Sequence, residues 1–200
     1  RENSLEQAFN GTNSITVEIT KAEGADEYLI KLPGKWLTSD DADKSIEIKT
    51  ELGSIKVPLN MIVANDENPA GEVSLNISRV DTRSFSRELK NIIENRPVIG
   101  LDLYVDGVKR DWENSEAPVI VSIPYTPTHK ELKNPERIVV LCFDWNAVSV
   151  SSGRYIAQTG CIEFETTHLG KYAISYTKVP YESLDIFKWM KDLFKIWFGW

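Results

Sequence analysis

Residues 14–20 read SITVEIT, a stretch in which branched apolar side chains alternate with threonine and glutamate. Successive side chains of a β-strand point to opposite faces, so an alternation with a period of two predicts a strand with one buried face. That face would carry Ile15, Val17 and Ile19. The same kind of stretch recurs along the chain, and this recurrence decides the fold class.

Further stretches of alternating or β-branched residues lie along the rest of the chain. Most are bounded by glycine, proline, asparagine or aspartate, which supply turn geometry at low steric cost. These stretches are residues 27–31, 45–49, 54–57, 72–80, 98–105, 118–124, 137–144, 147–150, 161–166 and 172–176. The pattern predicts a mostly β protein built from antiparallel β-sandwich-like units.

Two short helices are predicted to interrupt the strands. One is a turn at residues 32–38, and the other covers residues 84–94, where Phe85, Leu89 and Ile93 recur at helical spacing. Helices of this length need support from the sheet.

The stretch ANDENPAG at residues 64–71 is polar and contains both proline and glycine, which indicates an internal boundary. We therefore expect an N-terminal β unit at residues 1–68 and a second β unit, packed on the first, at residues 69–178. Residues 179–200 form a separate, aromatic tail.

Composition and charge narrow the function classes. The chain has 200 residues with 42% hydrophobic and 26% charged residues, as in an ordinary globular protein. Its net charge is -7, and no cluster of lysine and arginine precedes the tail, which argues against a nucleic-acid partner.

The tail reads SLDIFKWMKDLFKIWFGW from residue 183 and predicts an amphipathic helix, with Ser183 as its N-cap and Gly199 at its end. The helix could pack on its own domain, bind a second copy, or lie in a membrane interface, and the first two are favoured because an apolar helix face usually finds protein. The residues expected to make this contact are Phe187, Trp189, Met190, Phe194, Trp197 and Trp200.

Two cysteines and two histidines are too few and too scattered for a structural zinc site, so no metal is expected. Cys142 and Cys161 lie in two predicted strands that are candidates for neighbours in one sheet. A disulfide between them and a pair of buried thiols both fit the sequence.

No arrangement for catalysis emerges from the residues, and we expect neither enzyme activity nor a cofactor. His129 lies in the polar turn TPTHKE, and His168 lies between two predicted strands, where a structural hydrogen bond is the usual role. The acidic loop around Asp40, Asp41 and Asp43 lacks the glycine and glutamate spacing of an EF-hand.

Tryptophans outside the tail offer an alternative function, which is carbohydrate binding. Trp36, Trp112 and Trp145 have large flat faces that suit sugar rings, provided that they converge on the surface. Packing in the core or at its rim is the simpler interpretation.

Three phrases of the second half together carry a family resemblance: IENRPVIGLDLYVDGVKRDW (93–112), APVIVSIPYTPTHKELKNPERIVVLCFD (117–144) and SGRYIAQTGCIEFETTHLGKYAISY (152–176). With IEIKTELGSIKVPLNMI (46–62), residues 28–178 resemble a module that precedes S-layer homology repeats in surface proteins of Firmicutes. The resemblance implies an extracellular, wall-associated setting, other domains of a surface protein as partners, and a spacer or presentation role without catalytic residues.

A looser resemblance links the chain to ZU5 and GAIN-type domains, which cleave themselves at a His-Leu-Ser or His-Leu-Thr site. His168 and Leu169 match the first two positions, but Gly170 has no hydroxyl or thiol to attack the peptide bond. We therefore expect no self-cleavage.

Overall fold

The structure is a computed structural model that describes residue 9 and residues 11–63, 71–143 and 148–178. β-Strands are the main secondary structure among these residues, as the sequence predicts. The strands are β1 (Ser14–Glu18), β2 (Glu27–Pro33), β3 (Ser45–Lys49), β4 (Ser54–Pro58), β5 (Glu72–Arg79), β6 (Val98–Val105), β7 (Val108–Arg110), β8 (Val119–Pro124), β9 (Ile138–Phe143), β10 (Val148–Ser152), β11 (Arg154–Ile156), β12 (Cys161–Thr166) and β13 (Lys171–Tyr176).

Two α-helices and three 3-10 turns connect the strands in the described part of the chain. The helices are α1 (Arg87–Ile93) and α2 (His129–Lys133), and the 3-10 turns are Gly34–Trp36, Thr82–Ser84 and Pro135–Arg137. The first turn and α1 confirm the two predicted helical interruptions.

The strands form two sheets, and the fold is β-sandwich-like. One sheet has the order β1-β3-β4-β8-β12-β11, and the other has the order β10-β9-β13-β6-β5-β2, with β7 paired to β6. One pairing departs from the antiparallel prediction, because β1 runs parallel to β3, with Ser14 opposite Ser45 and Glu18 opposite Lys49. Parallel neighbours need a long crossover, and the residues between β1 and β3, which include β2, supply it.

The chain divides into two compact units. The first comprises Arg1–Ile77, Leu101–Val121 and Glu165–Leu169, and the second comprises Ser78–Gly100, Ser122–Phe164 and Gly170–Trp200. The boundaries that we drew from composition, at residues 68 and 178, stay a prediction.

In the first unit, the hairpin of β3 and β4 supplies the centre of the core. Ile46, Ile48, Ile55 and Val57 are each exposed by 1% or less. They occupy alternate positions of SIEIK and SIKVP, so the period of two in the sequence places all four on the buried face.

In the second unit, α1 covers part of the sheet. Its N-cap is Ser86, whose hydroxyl accepts a hydrogen bond from the N–H of Leu89 at 3.2 Å. Leu89 and Ile93, one turn apart, are both 2% exposed. Burying each of these side chains contributes about 1.5–3 kcal/mol, which stabilises a helix too short to form alone. The two side chains pack in a cluster with Val98, Val139, Leu141, Phe143 and Ala173.

The two cysteines lie in different sheets, so the expectation that their strands are neighbours is wrong. Cys142 is on β9, where its partners across the ladders are Ser149 and Tyr172, whereas Cys161 begins β12. Both are thiols in this structure, with Cys142 buried and Cys161 partly buried. A continuous apolar run marks β9 and an alternating pattern marks β12, and neither signal identifies the sheet to which a strand belongs.

Candidate functional site

The predicted contact residues of the tail, Phe187, Trp189, Met190, Phe194, Trp197 and Trp200, lie outside the described residues. The structure instead describes how the chain reaches that segment. The region of interest, which we call the exit region, consists of β13, Thr177 and the elements that hold them.

The strand β13 lies in the interior of the seven-stranded sheet. It pairs with β9 along its whole length, from Lys171 opposite Phe143 to Tyr176 opposite Ile138. On its other side, Lys171, Tyr172 and Ala173 pair with β6. Its four central residues are buried. The last described strand is therefore paired on both sides over its first half and on the β9 side up to its end.

Hydrogen bonds from Ser175, Tyr176 and Thr177 hold the end of this strand against neighbouring elements. The backbone N–H and the hydroxyl of Thr177 both donate to the carbonyl of Arg137, at 2.9 and 3.1 Å. The hydroxyl of Ser175, which is 2% exposed, donates to the carbonyl of Ile92 in α1 at 3.0 Å. The phenol of Tyr176 donates to the carbonyl of Lys130 in α2 at 3.3 Å.

Next to this region lies a buried polar cluster of Arg96, Tyr125 and Glu131. The Arg96 guanidinium donates to Glu131 Oε1 through Nε at 3.0 Å and Nη2 at 2.8 Å. The Tyr125 hydroxyl is 2.9 Å from each carboxylate oxygen. Glu131 is 2% exposed, and the Arg96 side chain is 10% exposed. The cluster joins the segment after α1, the end of β8 and the helix α2.

Glu131 is also part of a capping box that starts α2. Its carboxylate accepts from the N–H of Thr128 at 2.7 Å, and its own N–H donates to the Thr128 hydroxyl at 3.4 Å. His129, predicted in a turn, is in fact the first residue of this exposed helix. The spacing Thr128-x-x-Glu131 was the sequence signal for α2 that the turn interpretation missed.

The charges of the cluster stabilise one another. Burial acts to raise the pKa of Glu131, but hydrogen bonds from Thr128, Arg96 and Tyr125 outweigh it and hold the pKa below its ordinary value. Burial likewise acts against the charged form of Arg96, yet Glu131 and Tyr125 raise its pKa. Burial and the hydrogen bond to Glu131 raise the pKa of Tyr125 to about 12.

This arrangement is suited to holding elements together. A carboxylate offers about four lone-pair positions. Those of Glu131 are occupied by the guanidinium, the phenol and a backbone N–H. The carboxylate of Glu131 thus accepts hydrogen bonds from three different segments of the chain.

The other histidine, His168, takes part in local backbone contacts. The hydroxyl of Thr166 donates to the His168 carbonyl at 3.0 Å and lies 3.4 Å from its Nδ1. An isolated antiparallel bridge joins His168 to Glu113. These contacts fit the structural role that the sequence favoured for a histidine at a strand end.

Gly170 is partly buried beside β9. A Cβ at this position would lie 3.4 Å from Cys142 Sγ and 3.8 Å from the carbonyl oxygen of Phe143. Both are ordinary van der Waals distances, so a Cβ fits at this position without displacing a neighbour.

Of the three tryptophans considered for sugar binding, the structure describes Trp36 and Trp112, and neither is classed as exposed. Trp112 is 8% exposed, and its indole N–H donates to the Met61 carbonyl at 2.9 Å, so its interpretation as a core residue is confirmed. Trp36 is partly buried at the end of the first 3-10 turn, and Trp145 lies outside the described residues.

Acidic residues of the predicted loop are exposed or engaged locally. Asp41 forms an ion pair with Lys44 at 2.8 Å, and Asp40 and Asp43 are exposed. Within the described ranges, no group of three or more histidine, cysteine, aspartate or glutamate side chains is placed to hold a metal ion. No helix in the same part of the chain has the length and apolarity to span a bilayer.

Comparison of the chain with protein-family models, with curated proteins and with solved structures finds no match.

Proposed function

We propose that the chain is a non-catalytic module of a bacterial cell-surface protein, which acts as a spacer and presents the segment that follows it. The extracellular setting is suggested by the resemblance of residues 28–178 to modules that precede S-layer homology repeats. The presenting role is supported by one observation, the anchoring of the exit region.

A module that presents a segment must hold the start of that segment in a defined place. Here the chain leaves from a strand that pairs with β9 along its whole length and with β6 over its first three residues, and Thr177 adds two hydrogen bonds to Arg137. An edge strand with exposed backbone would fray at this point, because terminal segments open easily unless they are tied down. The aromatic tail that follows would then make a contact with its own domain or with another copy.

The setting can be tested on intact cells of the bacterium that encodes the chain. Brief digestion by an added protease, followed by mass spectrometry, should release peptides of this chain before cytoplasmic marker proteins appear. Peptides that appear only after lysis would exclude a cell-surface location.

The presenting role has a separate test in hydrogen exchange of the purified full chain. Amides of Tyr172–Thr177 should exchange as slowly as those of β9, because both sit in the interior of one sheet. Exchange at Thr177 as fast as in an exposed turn such as residues 157–160 would contradict an anchored exit.

Absence of self-cleavage is the remaining part of the proposal. The purified chain should keep its mass of 22.7 kDa on prolonged incubation. Fragments that meet at residue 168 or 169 would instead support a self-cleaving domain.

A further inference from the structure

The strand β2 ends the seven-stranded sheet and has β5 as its one strand neighbour among the described residues. Edge strands present backbone N–H and C=O groups to any strand that can pair with them. In β2, exposed and buried residues alternate strictly, and Tyr28, Ile30 and Leu32 form the buried face. Its backbone is therefore extended and regular along seven residues.

The solvent face of β2 carries an acid, an apolar residue and a base in order. Glu27, Leu29 and Lys31 are spaced by two residues and are all exposed, and Leu29 is 54% exposed. A single exposed leucine is ordinary on a protein surface. The order of the three is informative, because an antiparallel pair of identical strands centred on Leu29 would place Glu27 of each strand opposite Lys31 of the other.

Such pairing would satisfy charge and apolar contacts at once. The two Leu29 side chains would face each other at the centre, and two opposite-charge pairs would flank them. Lys31 Nζ is 2.9 Å from Glu72, but its side chain is 61% exposed and can accept a second carboxylate. Glu27 has no ion pair with any described residue and is available for that role.

Other edge strands of the described part of the chain lack this self-complementarity. In β10, at the opposite end of the same sheet, the sequence VSVSS carries no charge, and β7 has three residues. In β1, an antiparallel pairing of SITVE with itself would bring no base opposite Glu18. In β11, three residues are too few to hold a partner, since strands in sheets average five or six. The arrangement on β2 is thus specific to that edge.

We propose that β2 is a dimerisation edge, which pairs antiparallel with β2 of a second copy about Leu29. The proposal is independent of the tail and of the presenting role. Charges and a proline on an edge strand also serve to prevent association. Cross-linking and charge exchange distinguish an edge that dimerises from an edge that prevents association.

The first experiment is oxidative cross-linking of the full chain carrying Leu29→Cys, in a Cys161→Ser background. Directly opposed residues have Cβ atoms about 4.5–5.5 Å apart, close to the separation that a disulfide requires. The matched control is Val108→Cys in the same background, because Val108 is also on a strand and is 53% exposed. We expect covalent dimer from the Leu29 variant only, and equal cross-linking of the two variants would overturn the proposal.

The second experiment is a charge exchange read by sedimentation equilibrium. The unaltered chain should have a mass of about twice the 22.7 kDa of one copy. Glu27→Lys and Lys31→Glu each create two like-charge pairs and should weaken the dimer about tenfold. The double variant should restore the dimer, because it re-forms both opposite-charge pairs in reverse.

Folding of the variants is checked by thermal melts. A monomeric unaltered chain would refute the proposal, and so would a dimer that no exchange at β2 changes, since it must then form elsewhere, as through the tail. A double variant that stays as weak as the single ones would also refute the register.

Discussion

Replacing Glu131 by glutamine should destabilise the second unit strongly. The substitution keeps the size of the side chain but removes the negative charge that compensates Arg96, whose side chain is only 10% exposed. It also weakens the acceptor for the Tyr125 hydroxyl, which lies 2.9 Å from each carboxylate oxygen.

The expected loss follows from the burial of the pair. Removing one partner of a buried ion pair costs about 3–5 kcal/mol when the other charge is left without compensation. Arg96 keeps an ion pair with Glu94 at 3.2 Å, whose side chain is 63% exposed, so we expect a loss at the lower end of that range. For a chain of this length each kcal/mol lowers the melting temperature by about 2–4 °C, so Glu131→Gln should lower it by roughly 6–12 °C. The assay is thermal unfolding followed by circular dichroism at neutral pH.

A matched control is available in the same unit. Asp81 and Arg83 form an ion pair of the same 2.8 Å length, but their side chains are 57% and 91% exposed. Asp81→Asn should leave the melting temperature within experimental error, because exposed pairs contribute little. If Glu131→Gln behaved like this control, the polar cluster would not stabilise the fold.

A double variant and a pH series test the same ion pair further. Combining Glu131→Gln with Arg96→Gln should cost less than the sum of the single variants, because the double variant leaves no uncompensated charge. The pKa of Glu131 is below its ordinary value, so the carboxylate stabilises the fold above that ordinary value and loses its effect as the pH falls through the lowered one. The difference between the unaltered chain and Glu131→Gln should therefore shrink in acid.

Three further outcomes are expected. The pKa of Tyr125 is raised from 10.0 to about 12, so its neutral form stabilises the fold below pH 10. This stabilisation disappears as the pH rises through 12. Tyr125→Phe should therefore remove this alkaline step from a plot of melting temperature against pH. Glu94 follows the last residue of α1 with a φ of 55°, so Glu94→Gly should stabilise the chain by about 1 kcal/mol in urea unfolding, since the ion pair of Glu94 with Arg96 is 63% exposed on the Glu94 side and contributes little. A loss of stability would contradict backbone strain there. Gly170→Ser should change the melting temperature little, because a Cβ there meets Cys142 Sγ at an ordinary 3.4 Å, and a large loss would contradict the room at this position.

Much of the strand content could be predicted because the signals are local. Alternation places β3 at Ser45–Lys49 and β6 at Val98–Val105, with the same bounds in sequence and structure. The helix predicted at residues 84–94 is found as Arg87–Ile93, since Ser86 caps it and apolar residues recur on one face. These features depend on neighbours within a few residues, which the sequence displays directly.

Other features depend on residues far apart and leave no local signal. The pair of Arg96 and Glu131 joins positions 35 residues apart, and each side chain alone looks like an ordinary surface charge. The strands β7 and β11 have three residues each, too few to show a period. The parallel pairing of β1 with β3 is likewise invisible, because alternation is the same for both pairing directions.

The place of β13 also bears on how the chain acquires its structure during synthesis. Its neighbours β9 and β6 are synthesised earlier and do not pair with each other. The middle of their sheet can therefore form only after β13, the last described strand, has been synthesised. Ribosomal synthesis therefore cannot complete this sheet before residue 176 has emerged, and contacts of such long sequence separation form slowly. During synthesis, β9 and β6 would therefore lack their shared neighbour until β13 is made.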